Sequence, residues 1–126
     1  MSHFATIETQ IRDIAALKAA CAELGLDINE NAVARGYAGN TRSGEHVIRL
    51  KGPYDIAVNK TPDGTYGLTT DWWAGHVEKE VGKNYGRLLQ LYGVHKAQIE
   101  ARRKGFTTRR STLADGSVKL VIGGAA

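Results

Sequence analysis

Cysteine is nearly absent. The 126 residues include one, Cys21, so the chain can form no internal disulfide and no metal site built from several cysteines. Cys21 falls on an apolar helical face, which predicts a buried and unreactive thiol. Long apolar runs are missing too. No segment approaches the roughly 20 residues of a membrane span, and the opening MSHFATIETQ carries no apolar h-region of a signal peptide. The expectation is a cytoplasmic protein that does not enter a membrane. Nucleotide and metal signatures are lacking as well. The Gly-rich stretch from Asn31 to Glu45 has neither the GK[ST] ending of a P-loop nor GxGxxG spacing. His76 and Glu80 stand one helical turn apart with Asp71 upstream and His3 elsewhere, but HVEKE is not HExxH and nothing fixes a third ligand. No cofactor is expected. No nucleophilic triad can be assembled, and no RNP, KH or helix-turn-helix signature appears.

What is present reads as one globular domain. Hydrophobic content of 42% and charged content of 24% are ordinary, and the length suffices to bury a core. The net charge of +4 permits an acidic partner without demanding one. His3 to Ile11 reads as a first strand. Asp13 is placed to cap a helix whose apolar face is Ile14, Leu17, Cys21 and Leu24, with Gly25 just past its end. Leu26 to Glu30 reads as a second strand and Asn31 to Glu45 as a surface loop or irregular hairpin, with Tyr37 as a packing residue. A meander follows: His46 to Leu50, Tyr54 to Asn59 and Tyr66 to Trp72, with a turn at Thr61 to Gly64. Phe106 to Leu113 and Val118 to Ile122 flank Asp115-Gly116, a strong hairpin signal. The order β-α-β-(β-β-β)-α-β-β predicts an α+β fold, an antiparallel sheet with two helices on one face, loosely ferredoxin-like.

The stretch from Asp71 to Gly105 organises the rest. Val77, Val81, Tyr85, Leu88, Tyr92 and Ile99 recur at helical spacing, with acids in the first turns and Arg102, Arg103 and Lys104 in the last. The pattern predicts one nearly straight helix from His76 to Lys104, roughly 43 Å long, against a domain diameter of roughly 36 Å. Its last turns should rest on the final hairpin. Gly82, Gly86, Gly93 and Ala97 form a second stripe opposite the apolar one. Three interior glycines would cost roughly 3 kcal/mol, so close packing within the chain or against a partner is expected there, and Gly86→Leu should disrupt it. Trp72 and Trp73 point to opposite sides if the strand continues through them, so one is expected in the core and the other exposed or over the end of the helix; both can be structural, and an exposed Trp73 would make an interface anchor.

Lys96, Arg102, Arg103, Lys104, Arg109 and Arg110 gather with only Glu100 to balance them. The arginines are expected to be largely exposed. Such a patch suits an acidic protein, or a nucleic acid held weakly and without sequence preference; the aromatics for single-strand stacking are missing apart from Phe106.

The opening MSHFATIETQIRD, the RGYAGNT loop, the PYDIAV strand and VEKEVGKNYGRLLQLYGVHK resemble the Ycf35/DUF1257 family of cyanobacteria, plastids, other bacteria and phages. That resemblance implies an accessory or adaptor role, since the family's genes often lie near those of AAA+ ATPases. It offers no catalytic residues to carry over. The combined expectation is a non-enzymatic protein-interaction module. Its partner would be a protein, an AAA+ ATPase or a second copy of the chain. Trp73, the small-residue stripe, Arg102, Arg103, Arg109 and Arg110 would form the contact. The alternative is a small-ligand or nucleic-acid-binding protein using the basic cluster and the Gly-rich loop.

Overall fold

In the computed structural model, which describes residues 4–124, the chain runs β1 (Phe4–Glu8), α1 (Ile14–Glu23), β2 (Asp27–Arg35), β3 (Thr41–Arg49), β4 (Ile56–Lys60), β5 (Tyr66–Asp71), α2 (His76–Val81), α3 (Gly86–Arg103), β6 (Thr108–Thr112) and β7 (Val118–Ile122). The first five strands make one antiparallel sheet in the order β1-β5-β4-β3-β2, and β6 and β7 pair only with each other. The α+β class and the chain order are as expected. In the strand order, β1 closes against β5, and the last hairpin stands outside the sheet.

Local chemistry sets most boundaries. The Asp13 carboxylate accepts the Ala16 amide at 3.2 Å, capping α1. The Tyr92 hydroxyl accepts the Arg12 and Asp13 amides at 3.1 Å, which ties this start to α3. α1 and α3 end alike, with Leu26 N–H on the Cys21 carbonyl and Phe106 N–H on the Ala101 carbonyl, both at 2.9 Å. The Thr61–Thr65 and Leu113–Ser117 turns are also alike: each closes on a backbone bond, 2.7 and 2.8 Å, across three loop residues ending in glycine.

Register then builds the core. Ile28, Ile48, Ile56 and Thr70 lie in one row across the sheet, and Val58 and Leu68 in the next. Leu17, Ala20 and Cys21 of α1 and Leu88, Leu91 and Tyr92 of α3 cover this face. Trp72 is half-buried there, its ring 4.8 Å from that of Tyr85. The opposite face carries Val47 and Ala57, which need a different cover. They get it from Ala32 and Ala34 of β2.

That cover comes from the stretch expected to be a loop or irregular hairpin. Of the two, the irregular hairpin forms: Asn31 to Glu45 holds the distal halves of β2 and β3, joined by a turn at Tyr37–Gly39. Asn31 adopts φ 48°, and the β3–β4 ladder stops at His46 and Val58. Beyond it the Asn59 side chain bonds Glu45 N–H and the Ser43 carbonyl. The hairpin tip thus leaves the sheet and folds across its second face. Asp55 N–H donates to the Arg35 carbonyl at 3.0 Å. Gly36 packs so closely on the Phe4 ring that a methyl group there would overlap it.

The single straight helix does not form. α2 ends at Val81, and Gly82, Asn84 and Tyr85 take φ of 86°, 53° and 63° before α3 begins. The reason is packing: this kink lets Tyr85 bury its ring against Trp72, although its hydroxyl there meets no partner. α3 alone, with 18 residues, spans about 27 Å and fits within the body. The other half of the expectation stands, because β6 and β7 do rest against α3.

Candidate functional site

The C-terminal half of α3 and the β6–β7 hairpin form one surface. Residues 102–119 hold six Lys and Arg against one acid, Asp115, while the rest of the chain holds eleven against twelve. The whole positive excess therefore sits in this segment. One ion pair holds the hairpin in place: Arg110 donates to both Glu23 oxygens at 2.9 Å, and His95 Nε2 meets Glu23 Oε1 at 2.7 Å. The Arg110 guanidinium, helped by His95 and opposed by burial, holds the Glu23 carboxyl down at about 2. Lys96 pairs with Glu100 at 2.8 Å. Arg102, Arg103, Lys104 and Arg109 are exposed and make no ion pair among the described residues.

The hairpin does not close down fully on the helices. A polar groove of about 620 Å³ runs between it and the ends of α1 and α2, lined by Glu23, Arg87, Gln90, Arg110 and Ser117 among others. A smaller one of about 190 Å³ lies where Ile122 faces Ala97, Ala101 and Phe106. Leu113, Val121 and Ile122 remain 46%, 39% and 52% exposed.

The residues singled out from the sequence divide between three places. Arg102 and Arg103 end α3 while Arg109 and Arg110 lie on β6, with Arg110 engaged by Glu23. The small-residue stripe is dispersed by the break in the helix. Gly82 lies in the kink and lines the larger groove. Gly86 and Gly93 are exposed, and a side chain added at either would meet nothing within 4 Å. The stripe therefore does not pack within the chain at those positions. Ala97 is half-buried and lines the smaller groove. Trp73 is 49% exposed, just past the end of β5.

Around Trp73 the structure assembles a feature that the sequence shows only as two short echoes, Tyr37-Ala38-Gly39 and Trp73-Ala74-Gly75. Both alanines sit in the left-handed region, at φ 56° and 59°. Asp71, fully buried, accepts Tyr37 N–H on one oxygen and Trp73 N–H on the other, each at 2.9 Å. One carboxylate thus holds two matching turns. It presents their aromatic rings edge to face at 5.6 Å. Tyr37, read from the sequence as a packing residue, packs here on Trp73 at the surface. Beside it Asp55 is buried and accepts bonds from Arg35, Arg49 and two backbone amides. Burial would raise its carboxyl, yet the Arg35 guanidinium and these amides bring it below the usual range.

The remaining chemistry-bearing residues are engaged elsewhere. His76 faces the Tyr54 ring at 5.3 Å, and Glu80 accepts the Lys51 and Gly52 amides at 2.6 and 3.0 Å. Among the described residues no three His, Cys, Asp or Glu side chains gather as metal ligands; His3 lies outside those residues. Cys21 is buried, and burial pushes its thiol up to about 12. No helix among the described residues is long and apolar enough to cross a membrane.

No curated protein and no solved structure matches the chain. A family model described as a protein of unknown function, DUF1257, matches residues 20–121, which takes in the last four residues of α1, all of α2 and α3, and every strand except β1 and the last residue of β7. By that match the chain belongs to the DUF1257 family.

Proposed function

We propose that this protein is a non-enzymatic interaction module, an accessory subunit that a cytoplasmic assembly holds through the α3 end and the β6–β7 hairpin. The observation that carries the reading is the concentration of charge on residues 102–119, on a hairpin that also exposes Leu113, Val121 and Ile122. Five cations without ion pairs among the described residues, at the end of α3 and on the hairpin, together with three exposed apolar side chains of the hairpin, make a surface of the kind that partner proteins cover. Trp73 would be a second, separate anchor. An AAA+ ATPase is the partner class that the family resemblance suggests.

The test places a photo-crosslinking residue at Arg103 or Arg109 in the native host. The expected result is a stoichiometric protein adduct, lost when Arg102, Arg103 and Arg109 are reversed to glutamate while the fold persists. Crosslinking to RNA or DNA instead would favour the nucleic-acid alternative, and crosslinks to nothing would remove the reading.

A further inference from the structure

We infer that the outer edge of β7 takes an acidic, extended segment of a partner protein as a third strand of the β6–β7 sheet. This rests on the interaction-module reading and adds the partner's chemistry and its mode of attachment.

The hydrogen-bond register exposes the edge. Leu113 N–H bonds the Ser117 carbonyl and Gly123 N–H the Thr107 carbonyl. Directly opposed pairs in an antiparallel ladder alternate between bonded and non-bonded. Ser111–Lys119 and Arg109–Val121 are therefore the bonded pairs, and Thr112–Val118, Arg110–Leu120 and Thr108–Ile122 the non-bonded ones. Val118, Leu120 and Ile122 thus turn their backbone N–H and C=O outward. Among the described residues no strand pairs with them. The edge has no proline and no bulge, and Lys119 is its one charged residue. Natural edges are usually blunted more than this unless something docks there.

β7 suits an added strand better than β6. Its VKLVI sequence offers apolar neighbours on both faces of the sheet, whereas β6 is TRRST and spends Arg110 on Glu23. The pocket beside Ile122, walled by Ala97, Ala101 and Phe106 and also lined by the ion-paired Glu100 and by Lys104, would receive an apolar side chain of the incoming strand, with Lys104 beside its acids.

Charge decides the occupant. Two copies joined through this edge would bring together two segments, each with six cations and one anion, and like charges facing each other across a sheet are unfavourable. An acidic strand meets the opposite situation. A nucleic acid would find cations but no stacking platform, since Phe106 is the nearest aromatic and is half-buried.

The test titrates the isotope-labelled full chain with a peptide of alternating Glu and Val, about eight residues long, a typical strand, and with its Lys/Val counterpart. The Glu/Val peptide should shift and protect the Val118, Leu120 and Ile122 amides, and more weakly as salt rises. Ile122→Pro removes an outward amide without touching a hairpin bond. It should weaken binding by about tenfold, while Ile122→Thr, which keeps the amide, holds most of it. Lys119→Glu with Arg109→Glu should reverse the preference toward the Lys/Val peptide, a readout that survives even if the proline variant loses its hairpin. Equal binding of both peptides, unprotected edge amides, tighter binding of an oligothymidylate, or a dimer formed through the same amides would overturn the inference. If the host crosslinks above reach a protein and that protein leaves the Val118, Leu120 and Ile122 amides unprotected, the module reading stands and the edge falls. If they reach no protein, both fall.

Discussion

Asp71 shows how much one side chain can organise. Its two oxygens accept amides from turns 34 residues apart and 2 residues apart in the chain. Both turns hold an alanine in the left-handed region, which costs roughly 1–2 kcal/mol for each residue with a Cβ. Strain kept at two facing turns, under an exposed aromatic pair, marks a place where shape is held against local preference. Asp71→Ala would leave both amides without their acceptor. It should cost about 2 kcal/mol in urea unfolding, because a buried, unsatisfied donor costs about 1–3 kcal/mol and these two are only part-buried; a loss under about 1 kcal/mol would mean that the turns hold themselves. This device was hardly legible in the sequence. An exposed Trp73 could be read from strand alternation, since Trp72 continues the apolar face, but Tyr37 could not, because its exposure depends on a carboxylate far along the chain.

At the scale of elements, the glycines of α3 allow a clean measurement. Gly93 lies inside the helix, exposed, with open space where a side chain would go. Gly93→Ala should therefore raise stability by about 1 kcal/mol, the helix-propensity difference. If the same substitution also weakens capture of the crosslinked partner, the stripe is an interface; if stability falls instead, α3 is packed differently from its description above.

The hairpin gives a second element-scale prediction, from pH. The Glu23 carboxyl sits at about 2 in the folded chain against an ordinary value of 4.5, with Arg110 as the main cause. A carboxyl lowered by folding contributes its stability above its unfolded value and loses it as pH falls through its folded one. The hairpin's amide protection should decline between about 4.5 and about 2, and Glu23→Gln should remove that pH dependence. Equal protection across this range in the native chain would show that the Arg110 pair does not hold the hairpin.

Elements were readable where their causes are local. The Asp13 cap, the ends at Gly25 and Gly105, and both glycine turns follow from neighbours a few residues away. The break at Gly82 to Tyr85 was not readable, because the apolar spacing runs straight through it. It is decided by where the Tyr85 ring finds room. Likewise the 31–45 stretch is polar and Gly-rich, and becomes strand because Ala34 covers Val47 and Ala57 on the second face of the sheet. The basic cluster could be seen from composition, but not that Glu23, 87 residues away, would claim Arg110.

At the scale of the whole molecule, the strand order has a consequence for how the fold is reached. β2 to β5 pair with their neighbours in sequence and can form as a meander as soon as they exist. β1 cannot join them early. Its partner is β5, with Phe4 opposite Asp71 and Glu8 opposite Gly67, so about sixty intervening residues must be in place first. Contacts that close long loops are the slow ones. A nascent chain would thus carry β1 and α1 unpaired while the meander is being made, with Ile7 and Ile11 bare and the outer edge of β5 open. During that interval the β5 edge can accept the β1 of another chain as readily as its own, so strand exchange between crowded nascent chains is the misfolding route built into this topology.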